Sequence, residues 1–104
     1  MTRTHPARRI EVLVDAPLVP RIAQALAEAG VSGHSVFPAL SGAGRGGSWN
    51  DERLTAAESK VLVMAIASPE RADAVVDALA PMLDSHRLLL TLSDVETVRA
   101  GRFA

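Results

Sequence analysis

The segment RRIEVLV, residues 8–14, alternates apolar and polar side chains, with Ile10, Val12 and Val14 on one face and Arg9, Glu11 and Leu13 on the other. A period of two is the signature of a strand that lays one face on a core. The run stops at Asp15-Ala16-Pro17, where Asp15 can serve as a helix N-cap with Pro17 in the first turn. From there Val19, Ile22, Ala23 and Leu26 recur at helical spacing until Gly30, which predicts a helix over about residues 16–29. Residues 33–41 read as a second strand, and Pro38 within it points to an edge or a bulge. Residues 41–58 carry no periodic pattern and form a loop of a length that, in so small a domain, is usually functional or disordered.

Periodicity returns with SKVLVMAIAS, residues 59–68, a continuously apolar strand suited to the centre of a sheet. Ser68-Pro69-Glu70 then supplies a cap, a proline and an acid at the start of a second helix. That helix puts Ala72, Val75, Val76, Leu79, Met82 and Leu83 on one face, with Pro81 expected to distort its last turn. RLLLTLS, residues 87–93, is a fourth strand, and the remainder reads as a turn and a tail. The order β-α-β-loop-β-α-β predicts an α+β, ferredoxin-like unit with both helices on one face of an antiparallel sheet. The other face carries apolar side chains as well, Leu13 among them, and nothing in the chain is left to cover it, so another copy should.

At 104 residues and 48% hydrophobic composition the chain reads as a single domain spanning 1–104, with residues 1–7 as a flexible N-terminus. A domain this small often gains stability by oligomerising. A net charge of −1 and three aromatic residues (Phe37, Trp49 and Phe103) argue against nucleic acid as a partner. No apolar run approaches the roughly 20 residues that span a bilayer, and the N-terminus lacks the apolar stretch of a signal peptide, so a cytoplasmic protein without membrane insertion is expected. The chain has no cysteine, and His5, His34 and His86 are far apart without acidic companions at ligand spacing, so no metal site is expected. Ser48, Asp51 and Glu52 stand near one another without a nucleophile elbow or an oriented base, and no catalysis is expected.

The loop holds one pattern that needs a decision. In LSGAGRGGSW, Gly42, Gly44 and Gly47 have the G-x-G-x-x-G spacing of a dinucleotide-binding turn. That turn requires a strand running into it, a helix opening inside it and an acidic residue about twenty positions later. The segment after the glycines has no apolar stripe with which a crossover helix would pack, and the Rossmann reading fails on that ground.

A different likeness covers most of the chain. The run RRIEVLVDAPLVPRIAQALAEAGVSGHSVFPALSGAGRGG resembles the N-terminal half of the PII signalling proteins and their PII-like relatives, where a strand and helix lead into a G-V-x-G-[MH]-[TS]-V segment and a strand ending in G-x-G-R. The later VLVMAIASPERADAVVDALAPML and RLLLTLSDVETVRAGRF resemble the second half, including a V-E…R-x-G ending. The resemblance implies a homotrimer packed sheet to sheet, with small-molecule sites in the clefts between subunits. It also implies a T-loop, here residues 41–58, that contacts a partner protein. Gly42, Gly44 and Arg45 then form the base of that loop, where glycine amides can converge on an anion and a guanidinium adds a forked donor.

The resemblance further implies an adenine-nucleotide site using Gly33, His34 and Ser35 for the base and ribose, and Gly42, Gly44, Arg45, Gly46, Arg87, Arg99 and Arg102 toward the phosphates. The chain departs from the family at the B-loop. T-G-x-x-G-D-G-K is replaced by LDSHR, which leaves His86 and Arg87 there, and Thr97 replaces one of the C-terminal arginines. Fewer cationic ligands favour ADP or AMP over ATP. Bicarbonate, a small planar anion, suits Gly44, Arg45, Gly46 and Ser48 as a second ligand, and a transporter or carbon-fixation protein suits the T-loop as partner. The chain has no tyrosine, so uridylylation on one is excluded. The alternatives are a trimeric interaction module with no small ligand, and a metal-tolerance type of PII-like protein.

Overall fold

A computed structural model describes residues 3–44, 47–50 and 59–98. Strand β1, His5–Asp15, enters a 3-10 turn at Ala16–Leu18 and helix α1, Val19–Glu28. Short strand β2 spans Ser35–Pro38, and β3, Ser41–Gly44, pairs with β4, Gly47–Asn50. Strand β5, Lys60–Ala67, helix α2, Pro69–Ser85, and β6, Leu89–Thr97, complete the order. The main sheet runs β2-β5-β1-β6, antiparallel throughout, and β3 and β4 form a separate two-stranded ribbon. This is the ferredoxin-like α+β arrangement that the order of elements predicts.

The core lies between the helices and one face of the sheet. Ile10, Val12 and Val14 of β1 and Val63, Ala65 and Ala67 of β5 meet Ile22 and Leu26 of α1 and Ala72, Val75, Leu79 and Met82 of α2, all buried. The start of α2 and the end of α1 are formed as the sequence dictates. Ser68 caps α2, its Oγ accepting the Arg71 N–H at 3.3 Å. Gly30 ends α1 at φ 82°, with its own N–H on the Ala27 carbonyl and the Val31 N–H on the Leu26 carbonyl, both at 3.0 Å. These are the two bonds of a Schellman motif, which needs a left-handed residue that glycine supplies without strain. Arg71 Nη1 donates to the Gly30 carbonyl at 2.9 Å and so ties α2 to the end of α1.

Several expectations need correction. Asp15 makes no side-chain cap bond; its carboxylate pairs with the ammonium of Lys60 across the sheet. His5, Pro6 and Ala7 are not a flexible leader but belong to β1, paired with Thr97, Glu96 and Val95, so β6 also outruns its expected end at Ser93. The loop read as patternless contains the β3–β4 ribbon, and the strand expected over 33–41 is only Ser35–Pro38. Pro81 is accommodated inside α2, which continues to Ser85, although Leu83 is exposed and not on the buried face. Among the described residues, no helix is long and apolar enough to cross a membrane.

Candidate functional site

The glycine segment leaves and rejoins the sheet at one end, where it is clamped. The Ala39 N–H donates to the Lys60 carbonyl at 3.0 Å, and the Ala16 N–H, at the β1–α1 corner, donates to the Ser59 carbonyl at 2.8 Å. The Asp15–Lys60 ion pair, both partners part-buried, fastens the returning strand to the same corner. Lys60 is the sole lysine of the chain.

Beyond this root the ribbon pairs Ser41 with Asn50, Gly42 with Trp49, Ala43 with Ser48 and Gly44 with Gly47. Gly42 has a specific steric role. A Cβ there would lie 2.5 Å from Cζ2 of the Trp49 indole and 2.9 Å from Cε2, so the ring lies flat across a backbone that only glycine leaves clear. Among the described ribbon glycines Gly47 has positive φ, at 100°. Gly44 has ordinary φ and open space around its Cβ position, so neither backbone conformation nor packing requires glycine there. The residue the ribbon cannot replace is Gly42. Arg45 and Gly46, between the Gly44–Gly47 pair, lie outside the described residues, as do Arg99 and Arg102.

The α2–β6 turn stands where a B-loop was sought. His86 Nδ1 is 2.8 Å from Ser85 Oγ, whose hydroxyl donates to the Pro81 carbonyl at 3.2 Å, and His86 Nε2 is 3.3 Å from Arg21 Nη1. One proton arrangement satisfies all three contacts: Nδ1–H donates to Ser85, and Nε2 accepts from the Arg21 guanidinium. The ring is thereby oriented between α1 and α2. Arg87 beside it is exposed. Arg21 escaped the sequence reading because 65 positions separate it from His86 and no spacing rule joins them.

Gly33, His34 and Ser35 lead into β2, all exposed, and Gly33 is not required by packing or by φ. They share the β2 edge with the ribbon root. The register Phe37↔Leu62, Leu62↔Leu13, Leu13↔Leu89 crosses the whole sheet. Ala39 and Arg87 are each two residues from that row toward the same end, but on opposite edges. Three strand spacings of about 4.8 Å put them roughly 14 Å apart. Within one chain, then, the loop root and Arg87 do not close on a single small anion.

The profile of the nitrogen regulatory protein P-II family matches residues 7–102. The chain belongs to that family. Solved P-II-like folds agree with it closely in three dimensions. CPII, a nitrogen regulatory PII-like protein from Thiomonas intermedia K12, bound to ADP, AMP and bicarbonate, superimposes with a TM-score of 0.85 at 18% identity, over 93% of this chain and 92% of that one. The same protein bound to ADP and bicarbonate gives 0.86 at 19% identity, over 98% of each chain. CutA from Synechococcus elongatus PCC7942, complexed with Bis-Tris, gives 0.69 at 14% identity, over 96% of this chain and 93% of that one. No curated protein sequence matches. These identities establish the P-II fold.

Proposed function

We propose that this P-II protein is a non-enzymatic regulator that assembles as a homotrimer, binds ADP or AMP in the clefts between subunits with bicarbonate as a second ligand, and signals occupancy to a partner protein through residues 41–58. The observation that carries the reading is the agreement in fold, over nearly the whole chain, with CPII bound to ADP, AMP and bicarbonate. Two features of the chain support it. The separation of about 14 Å between the loop root and Arg87 calls for a ligand longer than one anion or for a site completed by a neighbour. The sheet face away from the helices exposes Phe37 and Leu89 at 47% and 58%, a surface that a second copy would cover.

The proposed mechanism is a population shift. A ribbon with Gly42, Gly44, Gly46 and Gly47 loses much conformational entropy when fixed, and an anion held by its amides and Arg45 offsets that loss in the ordered state. Partner affinity and ligand affinity are then coupled, and the coupling is reciprocal. Fewer phosphate ligands at LDSHR than in a B-loop favour the shorter nucleotides.

Titration calorimetry with ADP, AMP, ATP and bicarbonate tests this directly. ADP or AMP should bind at least as tightly as ATP, and bicarbonate should raise nucleotide affinity. Binding of ATP alone would overturn the reading of residues 84–87, and no binding of any of them would leave a protein-interaction module.

A further inference from the structure

The open face of the sheet is not uniformly apolar. Its rows, read across the register from the loop root, begin Lys60–Asp15, then Phe37–Leu62–Leu13–Leu89, then Ser35–Met64–Glu11–Thr91, then Ile66–Arg9–Ser93, with Ala7–Val95 and His5–Thr97 beyond them. Among the described residues, the charges on these rows are Asp15 and Lys60, which neutralise each other at the loop root, and Glu11 and Arg9 in the middle of the face. Arg9 Nε stands 3.6 Å from Glu11 Oε1, with the side chains 46% and 35% exposed. That separation is too long for a hydrogen bond, so the two groups are left loosely matched within the chain. The guanidinium still offers its forked donors and the carboxylate most of its acceptor sites.

We infer that Arg9 and Glu11 form reciprocal ion pairs between copies of this chain, Arg9 of each copy meeting Glu11 of the next, and that these pairs choose the partner and register of the assembly; the inference rests on the trimeric reading above. The occupant is a second copy because the face is charge-complementary to itself. It offers one loosely paired cation and one loosely paired anion two positions apart on β1, within rows that, among the described residues, are otherwise apolar or neutral apart from the mutually paired Asp15 and Lys60. A closed ring of copies uses both groups of every subunit. Packing Leu13, Leu62 and Leu89 against a neighbour takes the two charges out of water as well. A charge removed from water without a good partner is costly, and their own 3.6 Å contact is a poor one. A bidentate pairing across the interface satisfies both. The neighbouring rows supply the apolar area, and the charges decide which face is accepted.

Complementary charge reversal tests this. Arg9→Glu makes the middle of the face wholly acidic, and Glu11→Arg makes it wholly basic. Light scattering at micromolar concentration should show each variant alone dissociated, with a dissociation constant raised on the order of a hundredfold by like-charge juxtaposition. Mixing the two in equal amounts should recover the assembly only in part, because a ring of three cannot alternate two kinds of subunit and every mixed trimer keeps one like-charge junction beside two matched ones. The double variant Arg9→Glu/Glu11→Arg, which keeps one charge of each sign, should assemble alone and serves as the measurement if either single variant fails to fold by circular dichroism. Full assembly of both single variants, or failure of the folded double variant to assemble, would overturn the ion-pair inference while leaving the trimer intact. A wild-type chain that is monomeric under the same conditions would overturn the trimer itself.

Discussion

The two faces of the four-stranded sheet are built from alternate residues of the same strands and do different work. Ile10, Val12 and Val14 point to the helices and are 1% exposed or less, whereas Arg9, Glu11 and Leu13, interleaved with them, remain part-exposed on the other side. Apolar residues occupy both faces, but among the described residues only one is sealed, by the two helices. The closed face explains why the unit folds, since burial of apolar surface is the dominant favourable term. The open face carries what the fold alone does not need: a row of large apolar side chains, two loosely matched charges and the clamped root of a glycine ribbon. Hydrophobic content by itself does not distinguish folding surface from assembly surface; the placement of both helices on one face of the sheet does.

A pair of leucines ten residues apart sharpens this contrast. Leu79→Ala, on the closed side where Leu79 is 0% exposed, should cost about 2–5 kcal/mol through lost transfer energy and a residual cavity. Urea denaturation should show a lower midpoint with little change in slope. Leu89→Asp, on the open side at 58% exposure, should leave the stability of the separated chain within about 0.5 kcal/mol, as surface changes usually do. It should nevertheless shift the assembly toward monomers in sedimentation. A Leu89→Asp chain that unfolds would show that the two faces do not divide the work.

The β3–β4 ribbon is a separate sheet, and the effect of a change at its tip should be confined to ligands. Arg45→Ala should remove a charge-assisted contact of roughly 1.5–3 kcal/mol and weaken nucleotide or bicarbonate binding ten- to a hundredfold, with denaturation and assembly unchanged. Full ligand binding by this variant would remove Arg45 from the anion site.

Sequence periodicity made the closed face legible almost residue by residue, because a buried face of a strand or helix imposes a period on the chain. It made the extended ends illegible. His5-Pro6-Ala7 and Glu96-Thr97 join β1 and β6 through backbone pairing at the sheet margin, where no side-chain pattern is demanded. The same holds for β3 and β4, whose register rests on glycines and one indole, not on an apolar alternation. At the candidate site the family likeness located the loop and the missing B-loop, since both are read from short contiguous motifs. Arg21 on His86 and Asp15 on Lys60 were out of reach, because each pair joins positions far apart in sequence through side chains that have several plausible local roles. Asp15 was read as a helix cap for that reason.

The indole lying on Gly42 has a practical consequence. Trp49 is the sole tryptophan, and the chain contains no tyrosine, so under selective excitation the intrinsic ultraviolet emission of every subunit originates from one ring on the ribbon. Anything that lifts that ring from its glycine platform alters its solvent exposure and therefore its emission maximum, quenching and anisotropy. The protein thus carries a built-in fluorophore whose signal follows the loop and is silent to the rest of the fold.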